Sequence, residues 1–294
     1  MSEPRSFPAP AKLNLMLRVL GRREDGYHLL QSVIRFLDHG DTLTFRVRDD
    51  GRIVRARDVA DVPAGDDLTL RAARSLQQAS GTRLGAEIAL EKRLPVGGGL
   101  GGGSSDAATT LLALNQLWGA GLTRERLLVL ALELGADVPV FVYGDSALVE
   151  GIGERLSPVA VPPDWYLVLE PPVAVPTSRI FAHKQLKRDS KPIKITAFSA
   201  AQAGNDLEAV VCREYPEVAR HLAWLRAKMR GGAQAWVTGA GACVFAAFPN
   251  ESAAREVWQQ APGGMRGFVA RGLERHPLRD LARGGERAGK PAGK

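Results

Sequence analysis

Between residues 95 and 106 the chain reads PVGGGLGGGSSD, and six of the seven residues from Gly97 to Gly103 are glycine. With side-chain bulk removed, backbone N–H groups can converge on an anion. A helix is expected directly after the run, and its first turn adds unpaired N–H groups and the positive end of the helix dipole. Ser104 and Ser105 bring hydroxyls to the same turn. On physical grounds Pro95, Val96, Gly97, Gly98, Gly99, Leu100, Gly101, Gly102, Gly103, Ser104 and Ser105 form a phosphate cradle. Spacing alone leaves its kind open. Gly97, Gly99 and Gly102 satisfy G-x-G-x-x-G, but a dinucleotide site needs a second strand ending in an acidic residue about 20 positions on. Another helix begins near residue 122 instead. No G-K-[ST] follows the glycines, and G-x-S-x-G is absent. A flexible linker does not fit, because both flanks are strongly patterned.

Other residues with chemical potential lie apart from this run. Asp137 sits between an expected helix end at Gly135 and Pro139, so the backbone on both sides of its carboxylate is constrained. Alone, it reads as a turn or capping aspartate. Lys12 opens an apolar strand and alone reads as a solvated lysine; Asn14 follows one alternation along the same face. Tyr27 and His28 occupy a loop entered through Arg22-Arg23. A tyrosine ring offers a stacking face to a nucleobase, and an imidazole can bond a base edge. The tight turn 238–241, TGAG, suits an approach to the glycine run, or a plain hairpin.

These groups need elements to position them. Residues 13–20 and 42–48 are short, apolar and bounded by turn residues, and Ala86, Ile88 and Leu90 alternate with Glu87 and Glu91, all of which reads as strand. Ala108, Leu111, Leu112 and Trp118 mark a helix that follows Ser104-Ser105-Asp106 and stops at Gly119. Leu127, Leu130, Ala131 and Leu134 mark another, opened by Thr123 and closed by Gly135. Residues 140–149 read as strand, turn and strand around Gly144-Asp145. After the prolines at 158, 162 and 163 the order is strand 166–169, a long loop, helices 206–212 and 216–229, strands 235–238 and 243–248, helix 251–260 and strand 267–271. A sheet covered by helices on one side fits this order.

In sequence order, PAKLNLMLRV (10–19), RREDGYH (22–28), PVGGGLGGGSSDAA (95–108), LGADVPVF (134–141) and TGAGACVFA (238–246) resemble the GHMP superfamily of small-molecule kinases. The resemblance covers the chain to about residue 278. It implies an α+β, two-domain GHMP kinase fold: an N-terminal α/β domain with a mixed sheet (1–160), a ferredoxin-like C-terminal α/β sandwich (161–278), and a basic tail (279–294) expected to be disordered. DGYH, GADVPVF and NDLE at 205–208 narrow it to the branch that acts in non-mevalonate isoprenoid precursor synthesis. There the acceptor is a small molecule with a cytidine diphosphate moiety; a homoserine, mevalonate or sugar acceptor is the alternative. ATP is then the co-substrate, with Mg²⁺. The resemblance makes Asp137 the catalytic base and Lys12 the catalytic lysine, whose ammonium would keep that carboxylate ionised. It puts Asn14, Tyr27, His28, Thr177 and Phe181 around the acceptor, with Phe181 as second stacking face, and makes Ser105 a metal ligand that Asp137 could assist.

Composition sets limits. The chain has 294 residues and a net charge of +7, but from Arg271 onward there are seven Lys/Arg against three Asp/Glu, so most of the excess belongs to the C-terminal end. A nucleic-acid-binding face is thus weakly supported. Cys212 and Cys243 lack metal-ligand spacing. No apolar run is long enough for a membrane span, and the N-terminus lacks a signal-peptide core. A cytoplasmic enzyme, monomeric or homodimeric, is expected, with no specific nucleic acid and no membrane as partner.

Overall fold

Two long strands set the frame on which the glycine run sits. In the computed structural model, which describes residues 2–57, 67–229 and 234–282, β1 (Arg5–Arg22) and β2 (His28–Arg48) pair antiparallel from Arg5↔Phe45 to Arg22↔His28. Their register shifts between Pro10 and Lys12 and between Asn14 and Met16. Such bulges re-aim side chains, and these two bracket the residues singled out at the start of the strand.

β3 (Ile53–Arg55) and α1 (Leu68–Ser80) come next, then β4 (Gly85–Glu91), which continues the sheet beyond β2. Asp67 caps α1 by accepting from the Thr69 N–H, an ordinary Asp N-cap. The glycine run leads into α2 (Gly102–Leu117). α3 (Arg124–Leu134) is capped by Thr123, as its sequence indicates. α4 (Val138–Tyr143) corrects the expected strand over 140–143, because Pro139 stands in its first turn and Val138, Val140, Phe141 and Val142 are buried. β5 (Ala147–Gly151) and β6 (Arg155–Pro158) close this half. Beneath it, Phe36, Phe45, Leu76, Leu111, Leu114, Leu127 and Phe141 belong to one core.

The remainder holds β7 (Trp165–Glu170), α5 (Thr177–Ala182), β8 (Gly204–Asn205), α6 (Glu208–Glu214), α7 (Pro216–Lys228), β9 (Ala235–Val237), β10 (Val244–Phe248), α8 (Glu251–Trp258) and β11 (Arg266–Leu273). Strands β9, β10, β7 and β11 are antiparallel neighbours. A second core, with Leu167, Val211, Leu222, Leu225 and Val244, joins this sheet to its helices. Parallel pairs β3–β4 and β1–β8 make the whole a mixed sheet with helices, an α+β fold. Leu37↔Gly272 and Phe36↔Leu273 connect the two halves into one path, β3-β4-β2-β11-β7-β10-β9.

Two further expectations shift. The loop expected between residues 170 and 206 contains α5. The tail expected from residue 279 begins with a docked turn: Arg279–Ala282 forms a 3₁₀ helix, and Arg279 pairs with Asp145 at 2.7 Å. Residues 283–294 lie outside the described residues. Among the described residues, no helix is long and apolar enough to cross a membrane.

Candidate active site

The glycine run passes between the two halves of the chain with its carbonyls turned into protein. Gly97 O accepts from the N–H groups of Val175 (3.3 Å) and Ala242 (3.0 Å), Gly98 O from Cys243 (3.0 Å), and Leu100 O from Lys12 (2.9 Å). The Thr238 hydroxyl donates to Gly99 O at 3.4 Å. Tying down acceptors on one side leaves donors for the other. At the start of α2 the first helical bond is Ser105 N–H to Gly101 O, so the N–H groups of Gly102, Gly103 and Ser104 precede any helical acceptor. The helix therefore starts inside the glycines, not after the serine cluster. Gly101, at φ 72°, caps it in a left-handed conformation that suits glycine. Packing is tightest at Gly99, where a Cβ would stand 2.2 Å from the Thr238 carbonyl oxygen. The turn 238–241 thus supports the glycine run directly.

This run lines a cleft of about 290 Å³ together with Asp67, Leu68, Thr69, Leu90, Lys92, Asp106, Asp137 and Thr177. Pro95 through Ser104 all face it. Ser105 does not. Its hydroxyl is buried, has no partner among the described residues, and its N–H is spent in the helix, so of the two serines it is Ser104 that lines the cleft.

Lys12 lies beneath Gly101 and reaches Asp137, Nζ to Oδ2, at 3.4 Å. The ammonium is buried (3% exposed) and the carboxylate half-exposed (50%), so the pair presents its acidic member to the cleft. Asp137 precedes α4 and makes no side-chain capping bond, which removes the turn-cap reading and leaves its oxygens available. Asn14 holds the lysine: Lys12 Nζ donates to its Oδ1 at 2.5 Å, and its Nδ2 donates to Ser32 Oγ at 2.8 Å. With both amide ends engaged and the residue 4% exposed, Asn14 acts on Lys12 and does not reach the cleft surface. Its own N–H donates to Thr238 Oγ1 at 3.0 Å, which links β1 to the supporting turn.

A second cavity, about 450 Å³, abuts the first and is lined by Arg22, Asp25, Gly26, Tyr27, His28, Leu30, Ala136, Ile152, Ser178, Phe181 and Ala182. The two meet where consecutive residues divide between them: Ala136 and Asp137, Ser178 and Thr177. Asp137 stands at this seam. Tyr27 is 57% exposed, and the His28 and Phe181 rings pack with centroids 4.9 Å apart. Thr177, expected beside Phe181, faces the glycine cleft, and Ser178 takes the place in the second cavity.

Sequence reasoning missed a buried charge cluster under the start of α2. Lys92 Nζ bonds Asp41 Oδ2 (2.5 Å) and Asp106 Oδ2 (2.8 Å), and Asp41 Oδ1 accepts from the N–H groups of Arg93 and Leu94. Burial pushes the Asp106 carboxyl up to about 7; the Lys92 charge opposes this and Asp41 adds to it. Burial acts to lower the Lys92 ammonium, but the two carboxylates outweigh it and hold it above its usual range. The basic EKR just before the glycine run was the available signal.

The sequence of residues 67–145 matches the family model described as GHMP kinases N terminal domain, and 182–266 matches GHMP kinases C terminal. The 4-diphosphocytidyl-2-C-methyl-D-erythritol kinase of Nitrosospira multiformis is 61% identical over 277 residues, 94% of each chain. A crystal structure of 4-(cytidine 5'-diphospho)-2C-methyl-D-erythritol kinase superposes with a TM-score of 0.75 at 32% identity, covering 91% of this chain and 99% of that one. A homoserine kinase from Cytophaga hutchinsonii superposes at 0.62 with 16% identity, covering 94% and 96%, a likeness of fold.

Proposed function

We infer the reaction from a family premise: the chain belongs to the GHMP kinases, within them to the 4-diphosphocytidyl-2-C-methyl-D-erythritol kinases. It is an ATP-dependent kinase that phosphorylates the 2-hydroxyl of 4-diphosphocytidyl-2-C-methyl-D-erythritol, giving the 2-phosphate and ADP, in the non-mevalonate route to isoprenoid precursors. The observation that carries the mechanism is the seam at Asp137 between a phosphate cradle and a second cavity with aromatic walls.

ATP lies with its phosphates against the N–H groups of the glycine run and the start of α2, a preorganised field that favours the charge developing on the transferred group. The cytidine diphosphate end of the acceptor occupies the second cavity, its base between Tyr27 and Phe181 with His28 at its edge. The methylerythritol 2-hydroxyl then reaches the seam. Asp137 takes its proton as the oxygen attacks, and the Lys12 ammonium, 3.4 Å from the carboxylate, favours the developing alkoxide. Asn14 and Ser32 fix Lys12.

Mg²⁺ travels with the triphosphate and needs few protein ligands. Ser104 and Asp137, which line the cleft near the phosphates, would suit it; Asp106 also lines the cleft, with Oδ2 on Lys92 and Oδ1 without a hydrogen-bond partner among the described residues. When bound, it neutralises phosphate charge. We read residues 1–160 and 161–278 as the two domains, on a soluble enzyme of cytoplasmic setting, monomeric or homodimeric. Coupled ADP release tests the reaction. Turnover that requires the cytidine-linked acceptor is expected, and folded protein that turns over homoserine or mevalonate instead would overturn it.

A further inference from the structure

Arg188 lies outside both cavity walls, yet all of its guanidinium nitrogens are engaged there. Nη2 donates to the carbonyls of Phe181 (2.8 Å) and His183 (2.9 Å), and Nη1 to that of Leu186 (3.1 Å). The Nε–H points at His28 Nε2 from 3.1 Å. A guanidinium has only donors, so the imidazole must accept at Nε2. His28 is thereby neutral with its proton on Nδ1, and Nδ1 has no protein partner among the described residues. The same guanidinium carries the segment on which Phe181 sits, and Phe181 packs against the His28 ring.

We propose that Arg188 is a positioning residue for acceptor recognition: it fixes His28 as the neutral Nδ1–H tautomer and locks it to Phe181, so the second cavity offers a hydrogen-bond donor at a set place beside a stacking face. This rests on the reading that the cavity receives the cytidine end of the acceptor. A cytosine edge carries acceptors at O2 and N3, and a uracil edge carries N–H at position 3. A fixed donor therefore favours cytosine where it meets N3, and an imidazole free to change tautomer does not. Other charges around His28 act in the same direction. Burial lowers its basicity first, then Arg188, then Arg22 at the end of β1. Asp25 in the β1–β2 turn lines the cavity, and His183, on the Arg188 segment, faces Glu214 instead.

The test uses the intact enzyme and the variants Arg188→Met and Arg188→Gln. Long-range ¹H–¹⁵N spectra of the imidazoles read the tautomer directly. In the unaltered enzyme at pH 7 His28 is expected as Nδ1–H, and in Arg188→Met as a mixture that includes Nε2–H. In steady-state assays Arg188→Met is expected to raise KM for the cytidine-linked acceptor at least tenfold, with KM for ATP and kcat within threefold. That KM is expected to rise further as the pH is lowered, because loss of the Arg188 charge removes one of the three causes that hold His28 neutral. Arg188→Gln, whose amide can donate to Nε2, is expected to recover part of the loss. A wild-type His28 found as Nε2–H or imidazolium at pH 7, or an acceptor KM unmoved in Arg188→Met, overturns the proposal. Absence of any turnover of the cytidine-linked acceptor by the unaltered enzyme would instead overturn the function on which it rests.

Discussion

Replacing Asp137 with asparagine separates chemistry from folding, because the structure assigns this carboxylate different weights in each. At the observed 3.4 Å from Lys12 Nζ, its gross Coulomb attraction is about 5 kcal/mol at an effective dielectric constant of 20. Half of the carboxylate faces solvent, so screening leaves a net stability contribution of about 1 kcal/mol or less. Asp137 also caps nothing, so Asp137→Asn should lower Tm by no more than about 3 °C. Its catalytic weight is larger. Loss of a positioned base removes roughly 10²- to 10⁴-fold in rate, which corresponds to about 3–5 kcal/mol of barrier. The cradle N–H groups are untouched, so KM for ATP should stay within about threefold, as expected for an interaction made mainly in the transition state. Coupled ADP release at saturating substrates, beside a thermal melt of the same preparation, reads both quantities. A kcat reduced less than tenfold in a variant with unchanged Tm would remove Asp137 from proton transfer and refute the assignment.

Gly99→Ala should raise KM for ATP at least tenfold, measured by the same assay, because φ is 75° and the new Cβ would meet the Thr238 carbonyl at 2.2 Å; unchanged affinity would mean the run does not hold the phosphates. Lys92→Met strands Asp41 and Asp106 as buried carboxylates without their cation and should destabilise by about 3–5 kcal/mol in urea unfolding, where a loss below about 1 kcal/mol would contradict the described cluster. His276 is buried, and burial lowers its pKa to about 3. The unfolded chain binds that proton below about pH 6.5 and the folded chain does not, so acid favours unfolding between these values by up to about 1.4 kcal/mol per pH unit. Relative to His276→Phe, wild-type stability should fall as pH drops from 6.5 toward 3; parallel curves would show that His276 carries no such penalty.

The glycine run was legible because its composition admits few structures, and α3 because Thr123 and Gly135 mark its ends. Where α2 begins was not: local preference puts the cap at the serines, and glycines within a helix each cost about 1 kcal/mol. Gly101 in a left-handed conformation and the tight packing on Lys12 start the helix earlier. α4 was hidden by its composition, since VPVFVY has strand propensity that burial against α2 and α3 overrides. Lys12 and Asp137 drew their roles from the family motifs, and their contact crosses 125 positions that no local pattern spans. The Asp41–Lys92–Asp106 cluster was missed for the same reason: EKR shows the lysine, but its partners lie 51 and 14 positions away. So was Asn14's role: its face on β1 was read correctly, but that the amide would be consumed by Lys12 and Ser32 depends on β2.

The carbonyls of Gly97, Gly98 and Gly99 are held by residues that come much later in the chain, with 139 positions separating Gly99 from Thr238. A ribosome adding about 5–20 residues per second takes roughly 7–28 s to cover that distance. During that interval the first half emerges, and at that point only the Leu100 carbonyl, of those at residues 97–100, has its partner, the Lys12 N–H. A nascent chain is therefore expected to pack its first core well before it can hold a nucleotide, and the cradle to close as a late event of synthesis.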